Sequence, residues 1–503
     1  MVTSHSNRDH RKLTLSTNIL YGIGSIAFGI HVSALTSPLM LFFNQVMGLP
    51  AAWVGAAMML TLIFDAICDP LIGEWSDHTH SRWGRRHPFM YASAFPTAVA
   101  YYFLFAPPGG WSKMSLLIYM AVMLAVVRVL LSFYEIPSSA LGPELTLDYD
   151  QRTSLMSSRF FFGTLGGAGM SVLTLQVFLR KDATHPLGVL NPAGYREAAI
   201  VASVLIFLSI MISCLGTHRF IAGVVHEPRV RGRWHEKIRE VTATLSNRSF
   251  LALTISGIIG AISMGLRQGL DFYISAYFFE LTPAQMSYLA IATLFAAFAG
   301  VFLAPAMSRW FGKKAGMIGV FFASTFASAA PIAGRLIGVL PPNGTRALFT
   351  IVLVFTFLAA TLGLTGFVLV SSMMADVVED TAITTGQRSE GLLFAANGLV
   401  NKCVTGVGTF LGSLILAWVS FPQHATPGQV DPAVLYHLGM AFVPVVTAFS
   451  AIAIAVLLFY DIDRSKHLQN IRRLETTAGA DPDSPNAVLR EDGERAVASN
   501  RGS

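Results

Sequence analysis

Two aspartates four residues apart, Asp65 and Asp69, lie inside an apolar run that extends from Ala51 to Trp75. On an α-helix this spacing places both carboxyl groups on one face, about 6 Å apart. An ionised side chain at the centre of a bilayer costs on the order of 3 kcal/mol, so both acids must face protein or water. Two carboxylates so close favour binding of a compensating cation. The pair therefore predicts a site for a proton or Na⁺; the structural alternative is a charge pair neutralised by a neighbouring helix for packing alone.

The chain as a whole has the composition of a helical membrane protein. Of its 503 residues, 53% are hydrophobic and only 13% are charged, and strand-like alternation is absent. This composition predicts an all-α membrane protein rather than a soluble enzyme. About twelve apolar runs are long enough to cross a bilayer core of roughly 30 Å. They cover residues 16–43, 51–75, 88–107, 115–142, 156–179, 197–221, 250–279, 283–307, 315–338, 347–375, 391–419 and 434–460.

Lys and Arg are concentrated in the connections that follow the even-numbered runs. Because cytoplasmic connections carry an excess of these residues, we expect both termini in the cytoplasm and the protein in the bacterial inner membrane. The same bias accounts for the net charge of +6 and requires no nucleic-acid partner. The first run is too long for a cleavable signal peptide. The three cysteines, Cys68, Cys214 and Cys403, lie within runs, which argues against disulfides and a cysteine metal site.

A hydrophilic stretch near the middle divides the chain into two parts of six runs each. We predict a cytoplasmic N-terminus (1–15), a first six-helix bundle (16–221), a central cytoplasmic loop (222–249), a second six-helix bundle (250–460) and a disordered cytoplasmic tail (461–503). The sequence SRWGRR at 81–86, after the second run, is echoed by SRWFGKK at 308–314, after the eighth. The echo indicates duplication, and two related halves are typical of transporters that alternate access.

Three separated motifs give the chain a specific resemblance. They are the run 65–77 (DAICDPLIGEWSD) with the basic residues after it; Glu135-Ile136-Pro137 with Glu144 and Arg159; and Met374-Ala375-Asp376 with 385–388 (TGQR) and Lys402. From about Tyr21 to the start of the tail, the chain resembles the glycoside-pentoside-hexuronide:cation symporters, the melibiose-permease-like branch of the major facilitator superfamily. The resemblance implies a major facilitator fold of twelve transmembrane helices in two halves. It also implies symport of a sugar, glycoside or uronide with a cation, without an organic cofactor.

The resemblance assigns cation-site residues one by one. Asp65 and Asp69 match the aspartates that bind the coupling cation in the melibiose permease, Ser132 stands where a hydroxyl lies nearby, and Lys402 matches the adjoining lysine. The family has an asparagine between the two acids, whereas this chain has Cys68, a weak ligand for Na⁺. This substitution favours H⁺ as the coupling ion. Na⁺ stays the alternative, because Ser132 and the Ala66 carbonyl, freed by Pro70, still offer oxygens.

The solute site departs further from the family. Gly29 and Ser139 replace an acidic and an aromatic residue that hold galactosides in the melibiose permease, so galactoside specificity is not transferred. The polar residues expected to bind the solute are Glu135, Arg159, Arg128 and His31. For Arg128 an ion pair with Glu135 or with an acid of the second helix is an equal alternative. His31 is alternatively a hydrogen-bonded packing residue.

Two charged groups outside this site also carry expectations. Asp77, Arg82, Arg85 and Arg86 follow the second run and are expected to form a cytoplasmic gate, by pairing with one another and with acids of neighbouring helices. The alternative is that these arginines only set orientation. In the seventh helix, Arg267 and Asp271 are spaced to neutralise one another.

The residues taken together predict a secondary active symporter, monomeric in the lipid bilayer, with a small-molecule substrate. No nucleophile with a base, metal triad or enzyme motif appears, so we expect no enzyme, and no metal site beyond Na⁺ at Asp65 and Asp69. A channel is disfavoured because neither a filter nor a ring of pore charges is present. A cation-coupled carrier of a lysolipid-like or other amphipathic solute is the alternative. Which solute is carried, with what stoichiometry and in which direction, is left open by the sequence.

Overall fold

The structure is a computed structural model that describes residues 14–146, 148–180, 188–220, 248–385 and 390–461. The side chains of 143, 149, 150, 375, 378–397 and 399 lie outside this description. So do most of the predicted N-terminus, the central loop and the tail. In the described ranges the secondary structure is helical and contains no strand, as the sequence predicts.

Twelve helical spans follow one another along the described chain. The first is broken into the helices Leu15–Ile23, Ser25–Ala34 and Ser37–Leu41 and a π-helical turn, Phe42–Val46. Spans two to six are Ala51–His78, His87–Leu104, Lys113–Leu145, Tyr149–Leu173 with the π-turn Thr174–Phe178, and Pro192–His218. Spans seven to twelve are Arg248–Tyr273 with the π-turn Ile274–Phe278, Pro283–Phe311, Lys313–Leu336, Arg346–Thr385, Glu390–Trp418 and Pro432–Leu457.

Length and composition allow most of these spans to cross a membrane. Among the described residues, 11 helices are long and apolar enough to do so. The third span, His87–Leu104, is a further helix of 18 residues. Helix boundaries follow local chemistry: Thr282 and Gln285 form a reciprocal capping box at the start of the eighth span, and Pro283 and Pro192 occupy the first turns of the eighth and sixth spans, where no N–H is required. The second span continues through Pro70.

Spans from the two parts of the chain pack against each other in three places: the first against the seventh, the second against the eleventh, and the fifth against the eighth. Small residues allow the second and eleventh spans to approach. A Cβ atom on Gly55 would lie 2.0 Å from the Ser413 hydroxyl, and one on Gly406 would lie 3.2 Å from the Leu62 side chain. This close contact brings the polar residues of both spans into reach of one another.

One end of the spans, called the basic end here, carries the connection 79–86 with its arginines. At the opposite end, buried amide side chains join the two parts of the chain. Asn44 accepts a hydrogen bond of 2.7 Å from the Tyr273 hydroxyl. Gln45 donates to the Pro422 carbonyl (3.1 Å) and accepts from the Ala425 N–H (2.9 Å). Because both amides are nearly inaccessible to solvent, these contacts close the protein at the opposite end.

Candidate cation and solute site

Asp65 and Asp69 meet on one face of the second span, as their spacing predicts, and two side chains bridge them. The Ser132 hydroxyl of the fourth span lies 3.0 Å from Oδ1 of Asp65 and 2.8 Å from Oδ1 of Asp69. On the other side, Lys402 Nζ of the eleventh span lies 3.0 Å from Oδ2 of Asp65 and 2.5 Å from Oδ2 of Asp69. The predicted residues of the cation site are therefore brought together in one cluster.

The three charged residues of this cluster differ in how far their side chains are exposed to solvent. The Asp65 side chain is 5% exposed, Asp69 is 22% exposed and Lys402 is 39% exposed. Asp65 is therefore held inside the protein, while Asp69 and Lys402 face a solvated space. An ion that approaches from that space meets Asp69 first, and it must compete with the Lys402 ammonium for both carboxylates.

The remaining donors of the cluster are mostly hard oxygens. The two Oδ2 atoms of the acids contact the ammonium, and their two Oδ1 atoms accept hydrogen bonds from the Ser132 hydroxyl. Cys68 is close enough to interact electrostatically with both aspartates, but its sulfur is a poor ligand for Na⁺. Ala66 is fully buried between the acids. The cluster thus offers carboxylates that can hold a proton, and fewer oxygens for Na⁺ than an asparagine at position 68 would give.

Glu135, one turn after Ser132 on the fourth span, and Arg159 of the fifth span form a second charged group. Their side chains make a direct ion pair. Arg159 Nη1 also donates to the Ser138 hydroxyl at 2.8 Å and to the Tyr21 hydroxyl at 3.4 Å. The Arg159 guanidinium is therefore held by protein groups, whereas the Oε2 atom of Glu135 is buried without a hydrogen-bond partner. Glu135 thus has a side-chain oxygen left to accept a hydrogen bond from a solute hydroxyl.

Arg128 and His31 are buried, each 8% exposed, and both have an unsatisfied nitrogen. Arg128 Nε and His31 Nδ1 lack a hydrogen-bond partner. Arg128 makes no ion pair with any described residue; it interacts electrostatically with Asp65 and with His31. The predicted alternative of an Arg128–Glu135 pair is wrong, because Glu135 pairs with Arg159 instead.

Three of the four residues predicted to bind solute thus carry orphaned buried polar atoms. These are His31 Nδ1, Arg128 Nε and Glu135 Oε2. A buried donor or acceptor left unsatisfied costs about 1–3 kcal/mol. Nine other buried side-chain atoms of the described residues share this property, so it does not by itself mark a solute site.

Three of the four predicted gate residues, all at the basic end, take part in ion pairs between described residues. Arg86 pairs with Asp77 and, at 3.2 Å, with Glu144 of the fourth span; Arg85 lies 2.5 Å from the same Glu144 oxygen. Arg82 instead lies over the Trp83 ring, 5.4 Å from its centroid, and makes no ion pair with any described residue. Among the described residues, the paired group therefore includes Glu144, which is present in the sequence motif, and does not include Arg82; the role of the four predicted residues as a gate stays a prediction.

The second part of the chain repeats this arrangement. Lys313, within the 308–314 echo, places Nζ 2.7 Å from both carboxylate oxygens of Asp376 in the tenth span. In each part, a basic residue after an even-numbered span is thus tied to an acid of the span two further on. The predicted Arg267–Asp271 pair is not present: Arg267 Nη1 donates to the Ser328 hydroxyl at 2.8 Å.

Gly29, where the resembling family carries an acid, has no room for a side chain. A Cβ atom there would lie 1.9 Å from the Gly163 carbonyl oxygen. The backbones of the first and fifth spans touch at this point, and an added Asp would separate them. Tyr21 and Ser138, which orient Arg159, carried no sequence signal apart from their position beside the motif residues.

Comparison with known proteins places the chain among membrane transporters. The family described as MFS/sugar transport protein matches residues 20–464. The isoprimeverose transporter of Lactiplantibacillus pentosus is 27% identical over 89% of this chain and 89% of its own length. An uncharacterized symporter of Synechocystis is 25% identical over 92% of this chain and 97% of its own. The inward-open xylose transporter XylE from E. coli shares the fold, with a TM-score of 0.57 and 14% identity over 91% and 99% of the two chains.

Proposed function

Because the chain belongs to the MFS/sugar transport protein family, we propose that it moves a sugar or glycoside together with a cation by alternating access, with Asp65 and Asp69 as the coupling site. The chain is a multi-pass membrane transporter with the major facilitator fold, not an enzyme. A relative named as an isoprimeverose transporter supports the solute class, and one named as a symporter supports coupled transport. The roles of individual residues are argued from the site itself.

One observation carries the assignment of the coupling site: Lys402 Nζ contacts both acids at once, at 3.0 and 2.5 Å. The ammonium occupies the position that a coupling cation needs. Lys402 comes from the eleventh span and the acids from the second, so the contact joins spans on either side of the chain's central stretch. Binding of a cation would release Lys402 and loosen this link, which couples occupancy of the site to movement between the spans.

The coupling ion that fits this site better is H⁺. A proton requires only one carboxylate oxygen, whereas Na⁺ requires several hard oxygens at set distances. Cys68 lies beside the acids where the family has an asparagine, so this chain has one hard oxygen fewer near the site. Two carboxylates that share a hydroxyl and an ammonium readily share one proton when the ammonium leaves.

The solute would lie next to the coupling site, among His31, Arg128 and Glu135. These residues belong to the first and fourth spans, and a polyhydroxylated molecule would hydrogen-bond their unsatisfied atoms once the side chains turn toward it. Arg159, held by Glu135, Ser138 and Tyr21, keeps Glu135 in place. We assign Arg159 a positioning role rather than direct contact.

The basic end would be the cytoplasmic end, with both termini on that side, because positive residues favour it. The group formed by Asp77, Arg85, Arg86 and Glu144 joins the second, third and fourth spans. As a gate, this group would hold the ends of these three spans together while the two halves rock as units. We propose that the protein acts as a monomer in the inner membrane.

An amphipathic solute is the less favoured candidate. An apolar cavity lies between the first, third, fifth, sixth and seventh spans, with Tyr101, Phe105, Tyr195 and Phe272 in its wall. None of the charged residues of the cation and solute site lines this cavity. The orphaned polar atoms would therefore gain nothing from an acyl chain bound there.

A solute screen in two stages tests the proposal. The purified protein is first assayed by thermal shift with sugars, glycosides, uronates and lysolipids, and each hit is then tested for uptake in proteoliposomes with and without an imposed cation gradient. We expect a sugar-like hit that accumulates against its gradient when a cation gradient is imposed. A lysolipid hit, or sugar uptake that no cation gradient drives, would contradict the proposal. Asp148→Asn, an exposed helix cap away from the site, provides a variant with the same chemical change for comparison with Asp69→Asn.

A further inference from the structure

Asp271 is an acidic residue of the seventh span that has no partner among the described residues. It makes neither a hydrogen bond nor an ion pair with any of them. The residue is exposed, although it lies deep in the protein, with protein on all sides at larger distances. An ionised side chain that faced lipid within a membrane span would be strongly disfavoured. Asp271 therefore borders a solvated space inside the protein.

Arg267, one turn earlier in the same span, is a suitable cation that leaves Asp271 unpaired. Residues four apart share one face of a helix, so a local ion pair is within reach. Arg267 instead donates to the Ser328 hydroxyl of the ninth span at 2.8 Å. Met264, on the same face as Asp271, is exposed as well, so this face borders open space over two turns. The carboxylate is thus left free to accept hydrogen bonds from a ligand in that space.

Contacts with the first span place Asp271 just inside the closed opposite end. The Ser37 hydroxyl accepts a hydrogen bond of 2.9 Å from the Phe272 N–H and donates one of 3.3 Å to the Gly269 carbonyl. Asp271 lies between these two positions in the chain. Tyr273, two residues further on, belongs to the contacts that close the opposite end. The solvated space at Asp271 is therefore entered from the basic end.

The first span also relates Asp271 to the solute residues of the first half. His31 precedes Ser37 by six residues, which corresponds to roughly 9 Å along a helix. Asp271, at the level of Ser37, is thus displaced from His31 toward the opposite end by about the length of one sugar unit. A solute bound beside His31 at one end reaches Asp271 with the other, and it then contacts both halves of the chain.

We infer that Asp271 is the residue through which the second half of the chain binds the solute, and that its carboxylate accepts a hydrogen bond from a hydroxyl group remote from the coupling site. The inference rests on the proposed function of cation-coupled sugar transport and adds a residue that selects among sugars by the position and orientation of one hydroxyl. A hydrogen bond to a charged acceptor is stronger than one between neutral groups, so this hydroxyl contributes more to affinity than most others.

Deoxy analogues of a sugar identified by the screen test this inference. Each analogue lacks one hydroxyl, and its affinity for the wild type and for two variants is measured at one pH. In the wild type, loss of one particular hydroxyl should weaken binding by at least about tenfold. Asp271→Ala should bind that analogue and the full sugar equally, and Asp271→Asn, which keeps an acceptor oxygen without the charge, should retain part of the difference. Analogues that lack other hydroxyls are the control, since their losses should be the same in all three proteins.

Chemical labelling at the same position gives a readout that depends on neither of these variants. Asp271→Cys is made in a protein whose three native cysteines are replaced by alanine, and its reaction rate with N-ethylmaleimide is measured in detergent. A saturating concentration of the sugar should slow this reaction several-fold. The matched control is Asp148→Cys in the same background, at an exposed helix cap away from the site, whose reaction rate should not change. Size-exclusion profiles establish that each variant folds.

The outcomes distinguish this inference from the proposed function. If no hydroxyl loses its contribution selectively in Asp271→Ala, or if the sugar leaves the labelling of Asp271→Cys unchanged, the inference is wrong and sugar symport stands. If Asp271→Asn keeps the wild-type hydroxyl preferences but changes the number of protons moved per sugar, Asp271 is a second proton site and the inference is likewise wrong. If the wild type binds no sugar or glycoside, the inference and the proposed function both fail. Selective loss for one hydroxyl, together with protection of Asp271→Cys, supports the inference.

Discussion

Lys402 Nζ lies 2.5 Å from Oδ2 of Asp69, a contact between residues separated by 333 positions in the chain. The same ammonium contacts Asp65 at 3.0 Å. An internal cation thus offsets one of the two negative charges of the acid pair when no external cation is bound.

Asp65→Asn and Asp69→Asn should each abolish uphill accumulation of the solute, while exchange of solute across the membrane continues. Without the carboxylate, the site cannot bind the ion whose gradient drives transport. The measurement compares accumulation under a cation gradient with equilibrium exchange in the same proteoliposomes. If either variant concentrates solute as well as the parent, the acid pair is structural. Asp148→Asn is the control for the chemical change, since Asp148 caps a helix at an exposed position.

Lys402→Leu should reduce coupled accumulation by about tenfold, the effect of roughly 1.4 kcal/mol, because both acids lose their internal counter-ion. At 39% exposure the lysine is partly solvated, so the loss should be smaller than the ~3–5 kcal/mol of a fully buried pair. Lys402→Arg should retain more coupling. The control is Lys113→Leu, a lysine at the opposite end that donates to Gln423. Unchanged accumulation and pH dependence in Lys402→Leu would exclude a site shared between the second and eleventh spans.

Exchanging the charges of Asp77 and Arg86 should separate gating from orientation. Asp77→Arg breaks the pair and should slow transport, and the double variant Asp77→Arg/Arg86→Asp should recover part of the rate because it restores an ion pair with reversed polarity. Arg82→Gln, which removes a positive charge but no ion pair to any described residue, should affect transport less. Rates are measured by solute exchange at equal surface expression. If the rate of the double variant is lowered by the product of the two single-variant factors, with no recovery, these residues only set orientation.

Gly29→Asp should destabilise the protein and should not create galactoside binding. The added Cβ would lie 1.9 Å from the Gly163 carbonyl, and forced overpacking costs about 1–3 kcal/mol. Gly29→Ala and Gly169→Ala separate the added volume from the added charge, because nothing lies within 4 Å of a Cβ atom added at Gly169 in the fifth span. Thermal unfolding of all three variants in detergent and a galactoside-binding assay on Gly29→Asp test this. A Gly29→Ala protein as stable as Gly169→Ala, together with galactoside binding by Gly29→Asp, would show that the first and fifth spans can separate.

The sequence predicted the all-helical fold because twelve apolar runs and a repeated basic motif specify the elements directly. The meeting of Asp65 with Asp69 followed from helical periodicity, and the approach of Lys402 followed from resemblance. The ion pairs between spans could not be predicted from the sequence, because they depend on how each span is rotated about its own axis. Rotation of the fifth span presents Arg159 to Glu135, which leaves Arg128 unpaired. The paired partners at the basic end likewise depend on the turn at Gly84, whose positive φ of 73° sends Arg85 and Arg86 back toward Glu144 while Arg82 stays outside.

The account's central claim is that a proton held by Asp65 and Asp69 moves with the solute. The most direct measurement is the internal pH of proteoliposomes loaded with a pH-sensitive dye, in Na⁺-free medium with the membrane potential clamped by K⁺ and valinomycin. When a solute identified by the screen is added outside at equal pH, the account predicts acidification inside, absent in Asp69→Asn and unchanged in Asp148→Asn. Solute entry that depends on external Na⁺ and brings no acidification would contradict the claim.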